Sequence, residues 1–157
     1  MAITFESFFE TVPPAQQPFV LELHEQLTAQ GCKLELKEAK SGFTASYKIG
    51  GKALLNFVFR KSGMQVRIYG DNVGRYQPLL ETLPDDMKQR MTSSADCKRL
   101  LNSSACSSTC VMGFIYDLNG TQHKKCRFNG MLFPLTEQAG PHIKLLALAE
   151  LGVRAEA

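Results

Sequence analysis

Four cysteines in the second half of the chain have the chemistry and the spacing of a metal site. Cys97, Cys106, Cys110 and Cys126 are separated by eight, three and fifteen residues. In a reducing compartment such thiolates suit zinc, which takes four ligands in a tetrahedron. A sphere closed by four thiolates leaves no position for water, so the ion would be structural and not catalytic. The sequence therefore predicts one structural Zn²⁺ per chain at these cysteines.

Other interpretations of the four thiols stay open, because no C-x2-C pair is present. They are unliganded thiols, a disulfide or redox pair, or an iron–sulfur cluster; the last is disfavoured because the C-x2-C-x2-C run typical of such clusters is missing. His123 is an alternative ligand in place of one cysteine, although we expect it to face solvent beside a turn. The fifth cysteine, Cys32, falls on the apolar phase of a strand and is expected to be a small buried hydrophobe.

The basic residues of the chain concentrate around the same cysteines. Residues 1–96 contain equal numbers of basic and acidic side chains. Residues 97–157 contain seven basic and four acidic side chains, so the whole net charge of +3 comes from this part of the chain. Lys124, Lys125 and Arg127 lie together on a predicted hairpin. They form a candidate nucleic-acid contact, and such binding would weaken steeply with salt.

The rest of the sequence predicts the elements that position these residues. Apolar and polar residues alternate over residues 32–70, which predicts an antiparallel meander with one buried and one solvated face. Asn119-Gly120 predicts a hairpin of residues 111–117 and 122–128. Predicted helices cover residues 5–12 after the N-cap Thr4, 15–30, 76–82 and 85–91, and a final apolar helix begins at Thr136 or Pro141 and ends at Gly152.

These elements predict an α+β fold. An antiparallel meander sheet is packed by N-terminal helices and followed by a Cys-rich, zinc-braced hairpin and a C-terminal helix. We expect a single domain over residues 1–157, with a helix–helix–meander core in 1–91 and the Cys-rich segment, hairpin and last helix in 92–157. Residues 92–109 are rich in serine and poor in apolar side chains. Such a segment has too few apolar side chains to become ordered by packing alone. A zinc ion bound by its cysteines would supply the missing cross-link.

The solvated face of the meander is a candidate ligand-binding surface. Ser46 and Lys48 come from one strand, Arg67 comes from another, and Arg60 ends a third. Side chains of this kind suit an anionic small molecule or a protein partner. The sequence offers no nucleophile and base at a recognisable spacing, so no catalytic residue is predicted. An enzyme acting at this face remains an alternative.

We expect a cytoplasmic protein with no membrane partner. No apolar run approaches the roughly 20 residues that span a bilayer, and the first ten residues lack the basic start of a signal peptide. Thiols in the cytoplasm stay reduced, which favours metal binding. The favoured function is a non-enzymatic binding or interaction module with a structural zinc, whose partner is an unidentified small molecule or protein.

Two motifs carry a resemblance to a known family. They are FFETVPP at residues 8–14 before a helix, and the turn Gly50-Gly51-Lys52-Ala53 entering an apolar strand. Over about residues 4–90 the chain thereby resembles the YdhG-like small bacterial α/β domains. An iron-donor role has been assigned to that group, and such a role requires an acidic surface. The acidic residues of the N-terminal helices are scattered in this sequence, so we do not transfer the role to this chain. CRFNGMLFPL at residues 126–135 looks like the C-terminal part of uncharacterised bacterial proteins of similar size.

Overall fold

The chain forms an antiparallel sheet with helices packed against it, which confirms the α+β class. The computed structural model describes residues 4–39, 42–61, 63–97, 113–127 and 130–156. The strands are β1 Lys33–Ala39, β2 Gly42–Ile49, β3 Lys52–Arg60, β4 Gly63–Ile68, β5 Gly113–Leu118, β6 Thr121–Cys126 and β7 Leu132–Pro134. The helices are α1 Phe5–Phe9, α2 Gln17–Ala29, α3 Pro78–Glu81, α4 Asp85–Thr92 and α5 Gly140–Ala155, with 3-10 turns at Pro14–Gln16 and Val73–Arg75.

The main sheet joins both parts of the chain. Its strand order is β1-β2-β3-β4-β7 with antiparallel neighbours, and β5 and β6 form a separate hairpin. The last helix, α5, packs against α2, β3 and β4. Both β7 and α5 come from the part of the chain that follows the cysteines, so that part completes the core of the first. In the described ranges no helix is long and apolar enough to cross a membrane.

One face of the sheet carries the core. The register places Ala45, Phe57, Val66 and Phe133 side by side across four strands, and each is fully buried. From α1, the ring of Phe8 packs on Phe57 with centroids 5.9 Å apart. Burying one large apolar side chain contributes about 1.5–3 kcal/mol, so this row holds the helices on the sheet.

Two helix ends lie several residues from their predicted positions. Thr4 caps α1 through its side chain, as predicted, but α1 ends at Phe9 ahead of Pro13, whose ring disfavours helical backbone just before it. The last helix begins at Gly140, close to the alternative start predicted at Pro141. The prediction that Gly152 ends this helix is wrong, since α5 continues to Ala155. Val153 packs against the core there, and that burial outweighs the cost of a helical glycine.

His24 joins α2 to α1 and to the sheet. Its ring stacks on Phe5 with centroids 3.8 Å apart, and its Nδ1 atom lies 2.8 Å from the hydroxyl oxygen of the buried Tyr47. Burial lowers the pKa of His24 below its ordinary value of 6.5, although the charges of Glu25 and Glu6 act in the opposite direction. The folded protein therefore favours the neutral imidazole.

We expect the free energy of unfolding to fall when the pH drops below 6.5, because the unfolded chain then binds a proton at His24 that the folded chain resists. The stabilising contribution of neutral His24 is fully present above pH 6.5. It decreases as the pH falls from 6.5 toward the lower pKa of the folded state. Urea unfolding of the wild type and His24→Gln at about pH 7.5 and 5.5 measures it. The advantage of the wild type should shrink at the lower pH. An advantage that is equal at both pH values would contradict this role.

Candidate metal centre

The β5–β6 hairpin sorts its side chains onto two faces. Its turn residues Asn119 and Gly120 have φ values of 53° and 78°, the left-handed pair that a type I′ turn requires. Phe114, Tyr116 and Leu118 are buried on the inner face, whereas Ile115 on the outer face is 43% exposed. Directly paired residues share a face, so the register settles where each residue of β6 points.

Lys125 fastens the segment before the cysteines to this hairpin. It pairs with Phe114 on the inner face and is only 4% exposed. Its Nζ atom donates to the carbonyl oxygens of Thr92 and Ser94 at 3.0 and 2.8 Å and to Oδ1 of Asp96 at 2.7 Å. All three ammonium protons thus have partners. The bond from Lys125 also lowers the pKa of the Asp96 carboxyl group.

This attachment brings Cys97 next to the strand that carries Cys126. Asp96 forms a β-bridge with Lys125, and the backbone N–H of Cys97 donates to the carbonyl oxygen of Lys124 at 2.8 Å. Cys126 lies two residues beyond Lys124, so the two cysteines are diagonal neighbours on one face of the strand pair. Such neighbours have Cα atoms about 7–8 Å apart. Thiolates turned toward each other can bridge that separation through two Zn–S bonds of about 2.3 Å each.

The remaining two predicted ligands, Cys106 and Cys110, lie outside the described residues. Within the described ranges, no group of three or more His, Cys, Asp or Glu side chains could hold a metal ion. His123 pairs with Tyr116 on the inner face and stacks on its ring with centroids 5.3 Å apart. It therefore points away from the face of Cys97 and Cys126, which argues against its replacing a cysteine ligand. Cys32 is buried in the core, 6% exposed, and burial raises the pKa of its thiol.

The predicted nucleic-acid contact is largely engaged inside the protein. Lys125 is buried by the bonds described above, and Arg127 is paired with Asp71 at 2.6 Å, with its side chain 15% exposed. Of the three predicted contact residues, Lys124 alone lies on the outer face of the hairpin. The basic cluster of the sequence thus does not form one exposed patch, because strand alternation sends its members in different directions. Nucleic-acid binding stays a prediction that depends on Lys124.

The predicted ligand-binding face holds a polar row. The register aligns Ser46, Asn56 and Arg67 across β2, β3 and β4. With its amide oriented so that both of its polar atoms have partners, Asn56 donates to Oγ of Ser46 at 2.9 Å and accepts from Oη of Tyr69 at 2.9 Å and from Nη1 of Arg67 at 3.2 Å. Lys48 lies beside this row and pairs with Glu35 at 2.7 Å.

This face is less solvated than the sequence predicts. Asn56 and Arg67 are only 5% and 6% exposed. Ser46 and Lys48 are partly exposed, and Arg60 is exposed at the end of β3. Alternation alone cannot reveal this, because a polar residue on the outer phase of a strand can be buried by hydrogen bonding to its neighbours. The accessible part of the predicted site is therefore Ser46, Lys48 and Arg60.

A second polar network fixes the last helix. Glu150 is fully buried, and its carboxylate accepts from the backbone and side-chain nitrogens of Asn72 at 3.0 and 2.8 Å. It also accepts from the hydroxyl of Tyr76 at 2.7 Å and from Nε of Arg154 at 2.9 Å. Burial and the Glu150 carboxylate raise the pKa of Tyr76 well above its ordinary value. Arg154 reaches on to the carbonyl oxygen of Ala53 at 2.9 Å, which ties α5 to β3.

Comparison with family models, with curated proteins and with solved structures finds no match to this chain. The resemblance to the YdhG-like domains therefore stays a prediction, and the geometry of the chain itself carries the functional argument.

A cleft of about 520 Å³ borders the Glu150 network. Lys52, Arg75 and Arg154 line it together with Asp71 and Glu156, so both signs of charge are present. Arg75 and Glu156 neutralise each other at 3.1 Å, and Arg154 lies 3.4 Å from Asp71. Four of these five charged side chains are therefore paired with each other within the protein.

Sequence reasoning missed the burial of Asn56 and Glu150, although each of them leaves a signal. Asn56 is the single amide in the otherwise apolar run of β3, and Glu150 is the single acid in the apolar face of α5. An unpaired polar group is costly to bury, so a lone polar residue in an apolar run indicates a hydrogen-bonded group in the core. Its partners cannot be read from the pattern, because they lie far away in sequence.

Proposed function

We propose that the protein is a non-enzymatic binding or interaction module braced by one structural zinc ion, with Cys97, Cys106, Cys110 and Cys126 as ligands. The position of Cys97 and Cys126 carries the proposal, since they are diagonal neighbours on one face of the strand pair formed through Asp96 and Lys125. Both are free cysteines in the described part of the chain. Four thiolates would close the coordination sphere, so the zinc would stabilise and would not catalyse.

The zinc would anchor the chain between Cys97 and the hairpin. Lys125 already holds residues 92–96 against β6, so the two described ligands need little rearrangement to share an ion. The energy of binding a structural zinc, of order 10 kcal/mol, is large compared with the few apolar contacts that the Ser-rich segment can supply. Most of the apolar core comes from the main sheet and its helices, with Phe114, Tyr116 and Leu118 of the hairpin joined to it, so the sheet should keep most of its packing without the ion.

The recognition surface would be the accessible part of the sheet's polar row. Ser46 supplies a hydroxyl that Asn56 holds in place, and Lys48 lies beside it, paired with Glu35. Arg60 lies roughly 20 Å away at the other end of β3, because Lys48 pairs with Ala53 and each strand residue advances the chain by about 3.3 Å. A surface with its cations this far apart suits an acidic segment of a partner protein better than a small anion.

Chelation of zinc should loosen the hairpin and leave the main sheet folded. Hydrogen–deuterium exchange with and without a chelator measures this, and we expect roughly tenfold or faster exchange in residues 92–97 and 113–127 with unchanged protection in β2, β3 and β4. Cys32→Ala provides a matched control, because Cys32 lies in the core and should leave the response intact. Equal loss of protection in the sheet and the hairpin, or no change in either, would contradict the proposal.

A further inference from the structure

The two edge strands of the main sheet differ in how accessible their outward backbone groups are to another strand. The edge strand β7 has three residues, and its Leu132 carbonyl oxygen accepts from Nε of Arg90 at 2.7 Å, with α4 packed beside it. The opposite edge strand, β1, has seven residues and pairs with β2. Within the described part of the chain, no hydrogen bond reaches its outer side. A long open edge is a template for pairing with another strand.

The register of β1 settles which of its backbone groups point outward. Ala39 pairs with Gly42 across a connection of two residues, and a hydrogen-bonded pair must close such a hairpin. Because hydrogen-bonded and open pairs alternate, Lys33, Glu35 and Lys37 also direct their N–H and C=O groups toward β2. The outward groups belong to the residues between them, which are Leu34, Leu36 and Glu38.

We propose that β1 is a homodimer interface in which two copies of the chain pair antiparallel about a two-fold axis at Leu36. Leu36 then pairs with Leu36 of the second copy, and Leu34 pairs with Glu38 in both directions. Three pairs with two bonds each give about six backbone hydrogen bonds. The axis is perpendicular to the sheet, so the helices of both copies lie on the same face of one continuous sheet.

The charges of β1 select this register. It places Glu35 of each copy opposite Lys37 of the other, on the face where both side chains are exposed by 43% and 74%. A two-fold axis at Glu35 or at Lys37 would place like charges directly opposite each other, which is destabilising. An axis at Leu34 would pair Lys33 with Glu35 but would use only the first half of the strand. The self-complementary pattern therefore favours a second copy over a foreign strand.

Analytical ultracentrifugation of the full-length chain between about 5 and 500 µM tests the interface. We expect a monomer–dimer equilibrium in the wild type. Lys37→Glu places two acidic pairs across the axis and should raise the dissociation constant at least about tenfold. The charge-swapped Glu35→Lys/Lys37→Glu variant restores both pairs and should return the dissociation constant to about the wild-type value.

Lys33→Glu is the matched control, because it makes the same charge change on the same strand but lies opposite Ala39 in the proposed register. It should leave the dissociation constant within about threefold of the wild type. A wild-type chain that is monomeric at all concentrations would overturn the proposal. So would equal effects of Lys33→Glu and Lys37→Glu, or a failure of the charge swap to restore pairing. Circular dichroism verifies that each variant is folded.

Discussion

Replacing Glu150 with alanine should lower the free energy of unfolding by about 3–5 kcal/mol. The substitution leaves three donors without their acceptor, two on the half-buried Asn72 and one on the buried Tyr76. It also removes the carboxylate that pairs with Arg154, whose side chain is 9% exposed. Each unsatisfied buried group costs about 1–3 kcal/mol, and an uncompensated charge costs more. Urea unfolding at a fixed zinc concentration measures the change.

Glu156, the C-cap residue of the same helix, supplies the matched control. Its ion pair with Arg75 lies at the surface, with both side chains about two-thirds exposed at 66% and 64%. Exposed pairs of this kind contribute little, so Glu156→Ala should cost less than about 1 kcal/mol. Glu150→Gln keeps the shape and part of the hydrogen bonding, and we expect an intermediate loss. If Glu150→Ala were no more harmful than Glu156→Ala, the buried carboxylate would not be the group that fixes α5.

Replacing either of the proposed ligands Cys97 and Cys126 should strongly weaken zinc binding. Cys97→Ser and Cys126→Ser each remove one thiolate from a set of four, and we expect a loss of affinity on the order of 10²-fold or more, since each metal–thiolate bond contributes a large share of roughly 10 kcal/mol. Competition with a chromogenic chelator measures the affinity. Both variants should also resemble the chelated wild type in hydrogen exchange of the hairpin.

Cys32→Ala separates a ligand effect from a general effect of losing a thiol. Cys32 is buried near the end of α2 and is a core residue, so its substitution should cost some stability but no zinc. Zinc loss in Cys32→Ala equal to that in Cys126→Ser would show that the metal content follows overall stability and not ligation. Retention of zinc by both ligand variants would remove Cys97 and Cys126 from the site.

The first four strands of the main sheet and the hairpin were predictable because their signals are local. Alternation set the faces of β1, β2 and β4, and Asn119-Gly120 set the turn between β5 and β6. The fifth strand, β7, was not predicted, because its three residues are too few to show a period. The inward position of Lys125 was not predicted, because a lysine on a hairpin is usually solvated. It is buried here since the carbonyl oxygens of Thr92 and Ser94, more than 30 residues earlier, satisfy its ammonium group. Pairing over that distance leaves no periodic pattern in the sequence.

The candidate metal site was likewise predictable only in part. Residue type and spacing were sufficient to predict four thiolate ligands. The proximity of Cys97 to Cys126 depends on the bridge between Asp96 and Lys125, which no local signal encodes. The Glu150 network is also beyond local reasoning, because Asn72 and Tyr76 lie more than 70 residues before their acceptor. Tertiary contacts decide which polar residues are buried, and the sequence pattern shows only that a polar residue interrupts an apolar face.

The metal content of the chain, purified without added zinc, tests the central claim most directly. Elemental analysis together with titration of thiols before and after chelation gives both the stoichiometry and the protected groups. We predict about one zinc per chain, with Cys97 and Cys126 unreactive until the metal is removed. Protein that contains no zinc, and in which both of these thiols react freely from the start, would contradict the zinc-braced module.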